Sequence, residues 1–310
     1  MKKRSITRAF FAMLGTAAML LALVACGGGS GGEGDKGNIT VGSKNFTEQL
    51  ILGQMYAQAL EADGFSVDKN LNLGSVEIAD QALQSGEIDM YPEYTGTALE
   101  TVLDYKKTGE LESPEATYEK AQELYSERDP ADTMLQQADF NNTYGIAVRK
   151  EVADEYGIKT LGDLAEASPN LVFASFSEFQ ERSDGFPNIE ENYDVNFKDI
   201  KIVNSLGNRY KALAQGDADV AVGFTTDGQL NSDKLVVAED EKKIWPFYYP
   251  APVFRSEVIE SLPDAEEVVN SVSESLDLKT MRELNGQVDI DNRDPEDVAR
   301  EYLEQEGLLN

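Results

Sequence analysis

The side chains that this sequence can bring to chemistry form a short inventory. Histidine is absent, which excludes Ser-His-Asp and Cys-His nucleophilic catalysis, histidine general bases and histidine-ligated zinc. Cys26 is the single cysteine, so no intramolecular disulfide, thiolate cluster or CxxC redox pair can form. Carboxylate, lysine and tyrosine chemistry remain, together with binding that involves no reaction. Aromatic residues stand out because they gather where the chain turns. Tyr94 and Phe224 each precede a threonine just past a short apolar run, Tyr144 follows Asn141-Asn142-Thr143, and Trp245-Pro246-Phe247-Tyr248-Tyr249-Pro250 is too proline-bounded to be a regular element. A ring presents a negative face, and several rings can enclose a cation that lacks a hydrogen-bond donor, such as a quaternary ammonium, without any formal negative charge.

Short strands alternating with amphipathic helices must position these junctions. Asn38–Gly42 reads as a first strand; Asn45 with Glu48 three residues later has the spacing of a capping box. Leu52, Met55, Tyr56 and Ala59 then fall on one helical face ending near Gly64. Val67–Leu73 alternates as a strand, Ala79–Ser85 as a short helix stopped by Gly86, and Ile88–Tyr91 as a strand. A helix opens at Ser113-Pro114, and Tyr144–Val148, Leu171–Ala174, Lys201–Val203 and Ala218–Val222 read as further strands. Such alternation predicts an α/β architecture with mostly parallel sheets. The segment Ala82-Leu83-Gln84-Ser85-Gly86-Glu87-Ile88-Asp89 with Tyr94-Thr95 is echoed, 130 residues later, by Ala212-Leu213-Ala214-Gln215-Gly216-Asp217-Ala218-Asp219 with Phe224-Thr225. Each copy sets an aromatic just past the C-terminal end of a strand, where open sheets bind ligands. Two such units facing each other would form a cleft with one aromatic on each wall.

Charge narrows the partners. The chain has 27 Lys+Arg against 57 Asp+Glu, a formal net charge of -30, and a polyanion of this size is repelled by nucleic acid and anionic headgroups. Lys2, Lys3, Arg4 and Arg8 precede an apolar stretch, Ala9–Ala25, and small residues, the pattern of a secretory signal peptide over residues 1–25. Leu23-Val24-Ala25-Cys26 resembles a bacterial lipobox, which implies lipidation of Cys26 and retention at the membrane surface, facing away from the cytoplasm. Residues 26–37 then read as lipidated cysteine and glycine-rich tether.

Four strings, Gly42-Ser43-Lys44-Asn45-Phe46-Thr47-Glu48-Gln49, Tyr91-Pro92-Glu93-Tyr94-Thr95-Gly96-Thr97, Phe224-Thr225-Thr226-Asp227-Gly228 and Tyr249-Pro250-Ala251-Pro252-Val253, together resemble the glycine betaine/carnitine/choline-binding proteins of osmoprotectant ABC transporters. The resemblance runs through essentially the whole chain from Ile39. It implies a two-lobed, type II-like periplasmic-binding-protein fold closing on its ligand, with lobe I from residues 38–142 plus 246–310 and lobe II from 143–245. Carried over position by position, Tyr94, Tyr144, Phe224 and Tyr248 resemble the aromatic box around trimethylammonium, with Tyr249 the rival of Tyr248. Lys44, Thr97 and Arg182 match positions that hold a betaine carboxylate, and Gln49 is a weaker candidate. The implied partners are a quaternary ammonium ligand and an ABC permease with its ATPase; no cofactor or metal is expected, and the protein is expected to be a monomer and not an enzyme. Two alternatives stand beside this reading: an anchored carboxylate-dependent hydrolase using Glu93 and Asp227 as acid and base, or a binder of another small polar solute.

Overall fold

The computed structural model describes residues 36–309 apart from Ser183. The signal segment, Cys26 with its expected lipidation, and the tether as far as residue 35 lie outside the described residues. Among the described residues ten strands run in order β1 (Asn38–Gly42), β2 (Ser66–Asn70), β3 (Met90–Tyr94), β4 (Asp132–Met134), β5 (Tyr144–Arg149), β6 (Val172–Ser175), β7 (Asp199–Ile202), β8 (Val220–Phe224), β9 (Leu235–Ala238) and β10 (Pro250–Arg255). They form two five-stranded sheets, β2-β1-β3-β10-β4 and β7-β6-β8-β5-β9, an α/β architecture in two units. In each sheet one strand runs against the rest: β10 is antiparallel to β3 and β4, and β5 to β8 and β9. Those two strands are the ones that follow the chain's passages between sheets, at 141–143 and 246–249.

The internal echo is a structural repeat. Helices Val76–Ser85 and Leu206–Gln215 end at Gly86 and Gly216, both left-handed with φ of 76° and 75°, a conformation glycine adopts without a Cβ penalty. Asp89 accepts the Thr40 amide at 2.8 Å, and Asp219 accepts the Val172 amide at 3.0 Å. The same two carboxylates pair with Arg255 and Arg149, the last residues of the reversed strands, at 3.3 and 3.5 Å. The strand that was expected at Ile88–Tyr91 runs on through Pro92 and Glu93, so that Tyr94 closes β3 as Phe224 closes β8.

The expected apolar face of the first helix, Thr47–Ala62, is buried, and so is most of its circumference. Ile51, Ala57 and Leu60 are as inaccessible as Leu52 and Tyr56, because C-terminal helices Asp264–Glu274 and Pro295–Glu306 pack over the side away from the sheet. A helix apolar all round is a helix covered on every side. Its N-terminus departs from the sequence reading. The helix begins at Thr47 after Phe46, with no side-chain cap, and Asn45–Glu48 does not form a capping box. Glu48 is turned elsewhere.

Candidate functional site

A cleft of about 830 Å³ opens between the two sheets, at the C-terminal ends of the parallel strands, where sheets of this kind leave room for a ligand. Tyr94, Thr97, Lys44, Tyr144, Arg182, Phe224 and Tyr248 all line it; Gln49 and Tyr249 do not. Gln49 is fully buried, its Oε1 accepting the Lys44 amide at 3.4 Å. Tyr249 uses its backbone instead, exchanging hydrogen bonds with Thr95: its carbonyl accepts the Thr95 amide at 3.0 Å and its amide donates to the Thr95 hydroxyl at 3.2 Å.

The rings reach the cleft from both sheets because strand ends deliver them. Tyr144 opens β5 directly opposite Phe224 at the end of β8, and their rings stack at 5.6 Å between centroids. Trp245 and Phe179 back Tyr144 at 5.8 and 4.8 Å. On the other wall Tyr94 stacks with Phe46 at 6.2 Å, and Tyr248 enters from the second passage between sheets. Gly96 admits that tyrosine: a Cβ there would meet Tyr248 at 2.9 Å and the Phe247 carbonyl at 2.7 Å. Both tyrosine hydroxyls donate to carboxylates, Tyr94 to Glu48 at 2.7 Å and Tyr248 to Asp184 at 2.9 Å. Burial first, then those neighbouring charges, push both phenols well above their ordinary pKa, so each stays a neutral donor.

The charged residues are mutually satisfied to very different degrees. Lys44 is buried and bonded to Glu93, with its ammonium 4.7 Å from the centre of the Tyr94 ring. Burial lowers its pKa, against the pull of Glu93. Arg182 directs a two-pronged bond at Asp184, Nε at 2.7 Å and Nη2 at 2.6 Å, with Glu178 at 3.3 Å. Its pKa is raised, chiefly by the Asp184 hydrogen bonds. Arg209, a third cation lining the cleft, donates only to main-chain carbonyls.

Glu48 was missed as a site residue because its spacing suited a helix cap. Its carboxylate accepts the Tyr94 hydroxyl, the Asn142 amide group at 2.8 Å and the Asn285 amide group at 2.9 Å. Burial raises its pKa against those bonds. Phe46, Phe176, Asp184, Asn285 and Arg209 also line the cleft without having been singled out for it. Phe46 stood inside a string compared with the family, and Asp184 two residues from the candidate Arg182; a lone asparagine on a C-terminal helix carried no signal. The carboxylates of the hydrolytic alternative are not brought into one cavity. Asp227 lines the cleft, with its Oδ2 taken by the Tyr210 hydroxyl and the Phe224 amide at 2.7 Å each; Glu93 lies outside the lining, engaged by Lys44, Tyr91 and the Tyr94 amide.

Two facing α/β sheets with an aromatic-walled cleft between them define a binding protein of the bilobal, ligand-enclosing class. Comparison with known proteins carries this to a family. Residues 37–305 match the substrate binding domain of ABC-type glycine betaine transport systems, and the chain belongs to that family. It is 36% identical to the glycine-betaine-binding protein of Pseudomonas aeruginosa, covering 88% of this chain and 89% of that protein. It is 29% identical to the carnitine transport binding protein OpuCC of Listeria monocytogenes, covering 100% and 99%. A crystal structure of a glycine betaine/carnitine/choline ABC transporter superimposes with a TM-score of 0.80 at 26% identity, covering 88% of this chain and 100% of that one. Among the described residues, no helix is long and apolar enough to cross a membrane.

Proposed function

We propose that this protein captures quaternary ammonium osmoprotectants, namely betaines, carnitine and choline, and delivers them to an ABC permease driven by its ATPase. One observation carries the reading: rings from both sheets, Tyr94 and Tyr248 on one side and Tyr144 and Phe224 on the other, line a single cleft. A trimethylammonium group offers no hydrogen-bond donor, so ring faces are the contacts available to it, each contributing about 0.5–1 kcal/mol, and about 2 when water is excluded. Thr97, Lys44 and Arg182 supply the polar end for a carboxylate; for Arg182, a ligand carboxylate must share or replace Asp184. Lobe I is residues 38–142 with 246–310, lobe II is 143–245, and a ligand touching both walls stabilises the closed arrangement. The protein works without catalysis, as a monomer, held at the cell membrane by lipid on Cys26 and facing away from the cytoplasm. The names of its relatives support this assignment, since proteins related along nearly their whole length are a glycine-betaine-binding protein and a carnitine transport binding protein.

Isothermal titration of the mature chain with glycine betaine, proline betaine, carnitine and choline tests the proposal. Saturable one-to-one binding without product is expected. In Tyr94→Ala, loss of one desolvated ring contact is expected to weaken binding by roughly tenfold, with circular dichroism confirming the fold. Turnover of any of the four compounds, or unchanged affinity in the variant, overturns it.

A further inference from the structure

Among the described residues three cations line the cleft, and Arg209 is the one that makes no ion-pair contact with an acidic side chain. Lys44 pairs with Glu93, and Arg182 with Asp184 and Glu178. Arg209 is only 3% exposed, yet among the described residues no carboxylate oxygen lies within 4.0 Å of its nitrogens. Its Nε donates to the Val222 carbonyl at 2.8 Å, and its Nη1 to those of Val203 and Asn204 at 3.1 and 3.2 Å. The guanidinium carbon stands 4.5 Å over the Phe176 ring. Asp227, the acid whose field it feels, commits its Oδ2 to Tyr210 and the Phe224 amide. Nη2 has no partner among the described residues.

A guanidinium carries five N–H groups in a rigid fork suited to a carboxylate. Here three carbonyl bonds and a ring face fix the fork at the C-terminal ends of β7 and β8 and leave one amino group over. A charge so nearly buried without a counter-ion is unfavourable, and an anion entering the cleft would relieve it. Phe176 lies 6.4 Å from Phe224, so the guanidinium stands one ring beyond the aromatic wall. We infer that Arg209 is an anion-binding residue of the cleft, taking the carboxylate of a zwitterion whose carboxylate is several bonds from its quaternary nitrogen. This rests on the quaternary ammonium reading above, and adds Arg209 to Lys44, Thr97 and Arg182.

The test titrates wild-type mature protein and Arg209→Gln with carnitine, which has such a carboxylate, and choline, which has none. The ratio of carnitine to choline affinity is expected to fall in the variant by roughly tenfold or more, the scale of one charged hydrogen bond. An unchanged ratio, whether both affinities fall together or neither does, assigns Arg209 a structural role and overturns the inference. Should the glutamine variant fail to fold, two measurements decide. Arg209→Lys, keeping charge without the fork, is expected to lower the ratio partway. A wild-type complex with carnitine is expected to show its carboxylate within hydrogen-bond reach of Nη2, and a carboxylate held elsewhere overturns the assignment. Wild-type protein that binds choline but not carnitine defeats the role of Arg209 alone; wild-type protein that binds neither defeats the quaternary ammonium reading and this assignment with it.

Discussion

Lys44 and Glu93 form the kind of buried ion pair in which each partner justifies the other's burial. Removing one member strands a charge, which costs about 3–5 kcal/mol, whereas replacing both by neutral groups is often close to neutral. Glu93→Gln is therefore expected to lower unfolding free energy by about 3–5 kcal/mol in urea titrations, and the double variant Lys44→Met/Glu93→Gln to recover most of it. A double variant no better than the single one would mean that the pair contributes through its other bonds, those from Tyr91 and the Tyr94 amide. This scale also shows what the sequence could reveal. The rings of the cleft were legible because strand ends and proline-bounded loops announce themselves locally. The role of Glu48 was not, since its partners Tyr94, Asn142 and Asn285 lie 46, 94 and 237 residues away, and only folding brings the three donors to one carboxylate. Arg209 was hidden differently: an arginine in a polar-looking helix reads as a solvated face until the carbonyls it caps are known.

At the level of elements, the two threonines of the repeat explain why the echo extends past its strands. Thr95 donates its hydroxyl to the Phe247 carbonyl and accepts the Tyr249 amide; Thr225 donates to the Asn141 carbonyl and accepts the Thr143 amide. Each grips one of the two passages between sheets, so the residue after the aromatic ties ring to crossover. Thr225→Val is expected to strand two backbone groups, costing about 1–3 kcal/mol by thermal unfolding, while Thr225→Ser keeps the hydroxyl and costs less. Near the same crossover, the turn Gly228–Asn231 packs against helix Leu278–Asp289 through two glycines. A Cβ on Gly228 would meet backbone atoms of Gly286 at 2.3 and 2.5 Å, whereas one on Gly286 meets nothing nearer than 3.6 Å. Gly228→Ala is thus expected to lower stability by about 1–3 kcal/mol; Gly286→Ala, inside a helix, is expected to be neutral or to add a few tenths of a kcal/mol. Equal melting temperatures for the two variants would contradict this packing. The helix stops at Gly86 and Gly216 were legible in sequence; the glycine-to-glycine contact joins distant segments and was not.

For the molecule as a whole, acidity sets the pH response. Asp132 and Asp227 are both pushed up to about 7, mainly by burial, from an unfolded value of 3.8. In the window between those values the folded state binds more protons than the unfolded chain, so their contribution is fully present at low pH and is lost as pH rises towards 7. A net charge of -30 acts in the same direction, since protonating carboxylates relieves self-repulsion. Melting temperature is expected to climb from pH 8 to pH 5, and Asp227→Asn to flatten part of that climb; a melting temperature that falls steadily over this range would contradict both burial effects. Net charge and the two-unit α/β plan were open to sequence reading, but which of so many acids sit in water-poor surroundings, Asp132, Asp227 and Glu48 among them, was decided by packing alone.

The reversed strand β10 has a consequence for biogenesis. Every strand of the second sheet lies in one continuous stretch, so a nascent chain can complete that sheet as soon as it has emerged. The first sheet has to wait with an open β3 edge until Pro250–Arg255 arrives, and its first helix stays uncovered until the C-terminal helices follow. In chain order the half that comes first is thus completed last, and loss of the tail would remove a central strand and the helical cover from that half.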